Sequence, residues 1–228
     1  MIGIYDSGSG GLTALSALRR TLPDTDILYR GDLKRAPYGT KTREELLPIL
    51  RENLNDFRAY GCQSILVACM TASSLLPYLS EQERCGAVPI TDFVGACAVR
   101  ATRTGRVGVV STSVTMREGR LKSYLLSHGL SLSESAADAL VPLAERGEIS
   151  KNSPRVRRAI ADAVEIHKSR GVDTLILGCT HFPYFTEAFR EAMGEEVSLI
   201  SSGEAGALGF LKQIPKDVLK GKGHIQFI

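Results

Sequence analysis

Several features are scarce in this 228-residue sequence, and each scarcity closes off a class of function. No uncharged apolar run reaches the roughly 18 residues that a membrane-spanning helix requires. The opening stretch, MIGIYDSG, enters an apolar segment with no basic leader before it, so no targeting segment is expected and the cytoplasm is the expected compartment. Charge is nearly balanced at +3, too little to point to nucleic acid or an anionic membrane as a partner. Lys212, Lys216 and Lys220 fall at helical spacing, but no aromatics are interleaved with them, so they read as a solvated face. The five cysteines are odd in number and include no C-x-x-C pair, which argues against a disulfide framework and for reduced thiols.

What is present is an alternation of short apolar runs with amphipathic stretches. Ile2 to Tyr5, Ile27 to Tyr29, Ser64 to Cys69, Val88 to Val94, Val107 to Val110, Thr174 to Gly178 and Val197 to Ile200 read as strands. Between them, Leu12, Leu15 and Leu18 repeat at helical spacing, Thr42 with Glu45 forms a capping box, and Ser153-Pro154 opens a helix that Gly171 closes. The pattern predicts an α/β fold with mainly parallel sheets. Pro48 falls inside one helical pattern, where it removes a backbone donor and predicts a kink or a late start.

An internal echo organises the chain further. GCQSILVACMT (61–71) and GVDTLILGCTH (171–181) align without gaps, with Cys69 and Cys179 in register 110 positions apart. IGIYDSGSG (2–10) and VGVVSTSVT (107–115) form a fainter pair, each a strand running into a loop of small polar residues. Two similar βα halves follow, each with a thiol at the carboxyl end of a strand.

In parallel α/β sheets ligands bind beyond those carboxyl ends, near helix starts. A helix N-terminus lowers a thiol pKa from about 8.5 toward neutrality, which predicts that Cys69 and Cys179 are usable bases or nucleophiles. A lone cysteine there reads as core; the registered pair reads as chemistry. Neither has an arginine within the next six residues, as a phosphate-cradling cysteine loop requires, and Cys179-Thr180-His181 is the one close Cys/His pair, short of a zinc site. DSGSGGLT (6–13) lacks both the last small residue of a dinucleotide fingerprint and the lysine of a phosphate loop. It places Asp6 at a rim, where the carboxylate could orient an ammonium or a thiol, or equally cap a helix. APYGTK (36–41) offers turn backbone that could line a site, and VPLAERG (141–147) sets Glu145 beside an apolar run.

Taken in order, IGIYDSGSGGLT, GDLKRAPYGTK, LVACMTAS, VPLAERG and LILGCTHFP resemble the aspartate/glutamate racemase family over nearly the whole chain. The resemblance implies a racemase that interconverts L- and D-glutamate without cofactor or metal and supplies D-glutamate for cell-wall peptidoglycan. It implies two pseudo-symmetric α/β domains, residues 1–92 with 206–228 and residues 93–205, with the site in the cleft between them and a homodimer as a common assembly. Two acid/base groups must flank a carbon that is inverted this way. The resemblance gives Cys69 the proton of the D-isomer and Cys179 that of the L-isomer, with Asp6 assisting the first and Glu145 and His181 the second. Ser7, Tyr38, Gly39, Thr71, Thr115 and Thr180 would hold the substrate's carboxylates and ammonium, beside position 70.

The chain also departs from the family. Met70 stands where the family has asparagine, and a thioether cannot donate a hydrogen bond. Ser201 replaces an aspartate, Pro48 and Arg30 replace apolar or aromatic residues, and the tail HIQFI ends early. The acid/base set is intact while the substrate-holding set is altered, which leaves two further expectations open: a binding or regulatory protein on the same fold, and a racemase for another amino acid.

Overall fold

The computed structural model describes residues 1–228, apart from the side chain of Asp217. The chain opens with β1 (Ile2–Asp6), α1 (Leu12–Thr21), β2 (Ile27–Gly31) and α2 (Arg43–Ala59). It continues with β3 (Ser64–Val67), the six-residue α3 (Met70–Leu75), the single turn α4 (Glu81–Arg84), β4 (Ala87–Pro89) and α5 (Ile90–Ala101). A second series follows: β5 (Arg106–Ser111), α6 (Ser113–Glu118), α7 (Arg120–Ser127), β6 (Ser131–Ala136), α8 (Leu140–Glu145) and α9 (Pro154–Ser169). The chain closes with β7 (Thr174–Gly178), α10 (Thr186–Met193), β8 (Ser198–Ser201), α11 (Ser202–Leu211) and β9 (Ile225–Phe227).

The strands form two sheets, β4-β3-β1-β2-β9 and β6-β5-β7-β8, and every pairing in both is parallel. The sequence echo is reproduced in their order, since β4-β3-β1-β2 matches β8-β7-β5-β6. It is reproduced in register too: Tyr5 stands opposite Val67, and Val110 opposite Leu177. β9 is an addition at the first sheet's edge.

One apolar cluster joins the two sheets, with Ile2 and Ile4 from the first, Val107, Val109 and Ile176 from the second, and residues of α1, α5 and α11 between them. Each sheet's outer face has its own cluster, under α2 and α3 for the first and under α8, α9 and α10 for the second. Burial on both faces explains why β1, β3 and β7 read as continuous apolar runs, with no alternation.

The run Val88–Val94 is not one strand. β4 stops at Pro89, and Ile90, Val94 and Ala98, four apart, form the buried face of α5. Proline has no ladder donor, yet it suits the start of a helix. α2 begins at Arg43, directly after its cap Thr42, with Glu45 completing the capping box in the first turn, and it runs through Pro48, so the late start does not occur. Pro48 lies on the exposed face, where water can serve the carbonyl its missing N–H would have bonded. The lysines at 212, 216 and 220 share no helix, because α11 ends at Leu211 and Lys216 begins a separate 3-10 turn. Among the described residues no helix is long and apolar enough to cross a membrane.

Candidate active site

The two thiols are delivered by matching local geometry. β3 ends at Val67, and the chain turns so that the Ala68 and Cys69 N–H groups both donate to the Tyr5 carbonyl, at 2.8 and 3.4 Å. Cys179 follows directly on the last residue of β7. Both cysteines border a single cavity of about 430 Å³ between the carboxyl ends of the two sheets. Ser7, Tyr38, Gly39, Met70 and Thr71 border it from the first sheet's side, and Glu145, Thr180 and His181 from the second's.

Two of the residues singled out in the sequence sit elsewhere. Asp6 is fully enclosed beneath the cavity floor, not at its rim; its carboxylate accepts the Gly8 N–H and the Thr180 hydroxyl, each at 3.0 Å. Thr115 stands behind the wall in a triangle of buried hydroxyls. Its Oγ1 is 3.0 Å from that of Thr71 and 2.9 Å from that of Thr112, and the Thr71 and Thr112 oxygens are 3.2 Å apart. Thr112, which lies within the 107–115 echo but was not among the candidate site residues, is the member of this second-half pair that faces the cavity. Asp138 was also missed. It borders the cavity while accepting the Ser113 N–H at 3.0 Å, and a single acid in an ordinary polar stretch gave no signal.

The surroundings of the two thiols differ. Cys69 donates to the Ser7 hydroxyl at 3.4 Å. Cys179 Sγ lies 3.7 Å from His181 Nδ1, and His181 Nε2 bonds the Glu145 carboxylate, giving a thiol–imidazole–carboxylate chain. Glu145 also accepts the Ser9 N–H at 3.2 Å, so the chain is tied to the glycine-rich turn of the other half. That turn needs its glycines for close approach: a Cβ on Gly8 would lie 2.6 Å from Glu145 Oε1, and one on Gly10 2.5 Å from Thr180 Oγ1. Its resemblance to a nucleotide loop thus reflects contact between the halves.

Neither thiol is poised near neutrality. Burial, with the Asp6 charge adding to it, pushes Cys69 up to about 11. Burial raises Cys179 further, against the hydrogen bond from the His181 backbone. The expected helix effect is outweighed because α3 is only six residues long and a 3-10 turn follows Cys179, whereas enclosure of both thiols is nearly complete. Burial also raises the Asp6 pKa, while the His181 charge opposes it. Glu145 moves the other way: burial works against its charge, but hydrogen bonds from His181 and Ser9 hold its carboxyl below the usual range.

Met70 is 2% exposed and belongs to the apolar cluster between the sheets, with Ala68, Ile90 and Val94. Its thioether is therefore core packing at the cavity's edge. Ser201 lies away from the cavity and caps α11, accepting the Glu204 N–H at 3.4 Å, and an aspartate there would cap the helix equally well. Arg30 pairs with Asp56 at 2.8 Å on the outer side of the first sheet.

The family model described as Asp/Glu/Hydantoin racemase matches residues 14–208. The glutamate racemase of Deinococcus radiodurans is 35% identical over 213 residues, covering 90% of this chain and 72% of that protein. The glutamate racemase of Exiguobacterium sibiricum is 37% identical over 212 residues, covering 91% and 77%. Among solved structures, a glutamate racemase isoform from Bacillus anthracis has a TM-score of 0.91 at 29% identity, covering all of this chain (100%) and 86% of that one. The Thermus thermophilus glutamate racemase in complex with beta-chloro-D-alanine has a TM-score of 0.83 at 31% identity, covering 100% and 85%. With its sheets, registered thiols and cavity arranged as described, the chain belongs to the Asp/Glu/hydantoin racemase family.

Proposed function

We propose that this protein interconverts L- and D-glutamate by a two-thiol mechanism that needs no cofactor. The observation that carries the reading is that Cys69 and Cys179, from matching strand ends of two related halves, border one cavity. Glutamate comes from the relatives, which are glutamate racemases by name over most of this chain.

In this reading the α-carbon lies between the thiols. Cys179 takes the proton of the L-isomer while Cys69 returns one to the opposite face, and the roles reverse for the D-isomer. His181 and Glu145 accept and orient the Cys179 proton, and Asp6 serves the Cys69 side through its contacts with the glycine-rich turn. Burial holds both thiols above their ordinary range, so in this reading substrate binding favours formation of the thiolate. An ammonium group brought beside a buried thiol favours its charged form, and a water-excluding cavity strengthens that attraction. Ser7, Thr71, Thr112, Thr180 and the Tyr38–Gly39 backbone supply donors for the carboxylates and for the developing carbanion, and Thr115 holds Thr71 and Thr112. The two halves, residues 1–92 with 206–228 and residues 93–205, act as domains that close over the substrate. The product D-glutamate serves cytoplasmic peptidoglycan synthesis.

The test is optical: incubate L-glutamate with the purified protein and follow the loss of ellipticity to zero, then repeat from D-glutamate. Activity is expected to survive a chelator and a carbonyl-trapping reagent. Failure in both directions with folded protein overturns the reading.

Met70 favours a second reading, in which the substrate is a less polar amino acid, because an apolar side chain occupies a position bordering the cavity. Racemisation of alanine, serine or glutamine faster than glutamate would select it.

A further inference from the structure

Behind the wall formed by the Tyr38–Gly39 backbone lies a cluster of polar side chains that the proposed chemistry does not use. Its members, Tyr5, Asp32, Tyr38 and Asn53, are all buried, with Asp32 the most accessible at 5%. The Tyr38 hydroxyl donates to Asp32 Oδ2 and lies 2.6 Å from the Tyr5 hydroxyl. Asn53 Nδ2 donates to the Tyr5 hydroxyl at 3.0 Å and is 3.2 Å from Asp32 Oδ2. Arg35 Nε donates to the same Asp32 oxygen at 2.7 Å, and Arg35 is held in turn by Glu52 at 2.8 Å.

Four polar groups taken out of water gain little net stability even when fully bonded, and well-packed apolar side chains of the same volume would serve as well. What hydrogen bonds add is direction. Asp32 is fixed at the base by Arg35, and the Tyr38 ring runs from that anchor to the backbone that borders the cavity. Tyr5 forms a second arm, because its carbonyl accepts the N–H groups of Ala68 and Cys69. One cluster therefore braces two parts of the site, the Tyr38–Gly39 wall and the turn carrying a thiol.

We propose that Asp32 is a positioning residue, acting through Tyr38 and Tyr5 to hold the Tyr38–Gly39 wall and the Cys69 turn in the geometry that substrate requires. Its carboxylate suits that role, since burial opposes its charge but hydrogen bonds from Tyr38 and Asn53 and the Arg35 charge keep its carboxyl below the usual range. Burial raises the Tyr38 phenol far above its ordinary value, so it remains a donor. The kinetic part of the proposal rests on the glutamate reading; the structural part does not.

The test uses Tyr38→Phe, Asp32→Ala, Asp32→Asn and the double variant Asp32→Ala with Tyr38→Phe, each checked for folding by circular dichroism. Loss of a buried positioning bond should raise KM for glutamate roughly tenfold in Tyr38→Phe and Asp32→Ala with kcat changed less than about threefold. Asp32→Asn keeps an acceptor oxygen and should recover most of the loss. The double variant should be no worse than Asp32→Ala alone, since both changes cut one strut. Backbone hydrogen exchange should quicken in the 36–41 and 67–71 segments and not in the second sheet. A lowered Tm with unchanged KM, additive losses, or exchange that quickens uniformly would overturn the proposal. If the unaltered protein fails to racemise glutamate, the glutamate reading falls, and the exchange pattern still decides the role of Asp32.

Discussion

Phe57 in α2 and His167 in α9 occupy equivalent places, 110 positions apart like the two thiols, and each lays its ring against the glycine of a central strand. A Cβ on Gly3 would lie 2.6 Å from the Phe57 ring, and one on Gly108 would lie 2.7 Å from His167 Nδ1. The second half thus puts a fully buried imidazole where the first has a phenyl ring. The imidazole is satisfied by two hydroxyls of β6, Ser133 at 2.6 Å from Nδ1 and Ser135 at 2.8 Å from Nε2.

Burial pushes His167 down to about 4, with the Arg170 charge adding to it. The unfolded chain binds this proton near pH 6.5, so between pH 6.5 and about 4 the unfolded state holds more protons than the native one. The contribution of His167 to stability is complete above that window and falls as pH drops through it. The loss amounts to something on the order of 3 kcal/mol. Urea unfolding at pH 7.5 and 4.5 should show the decline, and His167→Gln should flatten it; equal pH dependence in both proteins would refute this assignment.

Each thiol should be indispensable. Cys69→Ala and Cys179→Ala are expected to lower the racemisation rate by several orders of magnitude, because each face of the α-carbon needs its own acid/base group. Cys62→Ala, Cys85→Ala and Cys97→Ala should affect stability at most. Full activity in either of the first two variants would remove that thiol from the mechanism.

The raised thiol pKa values fix the sign of a pH dependence. Thiolate forms as pH rises, so kcat/KM should still be climbing between pH 7 and 9, as expected for a group near 11 in the free protein. A profile already flat by pH 7 would show that the thiols are activated before substrate arrives.

Met70→Asn places an amide where the thioether now packs. A hydrogen bond gained to substrate is worth roughly 1 to 3 kcal/mol, equivalent to a rise of about fivefold to about 150-fold in kcat/KM for glutamate. The same change removes Met70 from an apolar cluster, so a lower Tm should accompany the gain. No gain in a folded variant, with glutamine or alanine turned over faster, would favour the less polar substrate.

Much of this was legible in the sequence because the strands carrying the thiols are buried on both faces, and such strands announce themselves as apolar runs. β6, SLSESA, did not, since its serines turn toward His167 in place of an apolar core. β9 was too short to register, and Val88–Val94 was misread across Pro89 because one apolar run spans the end of a strand and the buried face of a helix. Around the cavity, the motifs located both cysteines, Glu145, His181 and the Tyr38–Gly39 turn. They could not show that Asp6 lies beneath the floor, that Thr112 stands in front of Thr115, or that enclosure would raise both thiols. Those facts depend on how closely the two halves approach, which no local pattern records.

The central claim, that two thiols remove and return the α-proton, is tested most directly by proton NMR of glutamate in heavy water. Starting from either enantiomer, the α-proton signal should disappear as the other isomer accumulates, and the new isomer should carry deuterium from its first appearance. Conversion with the original α-proton retained, or exchange that continues at full rate in both Cys69→Ala and Cys179→Ala, would contradict the account.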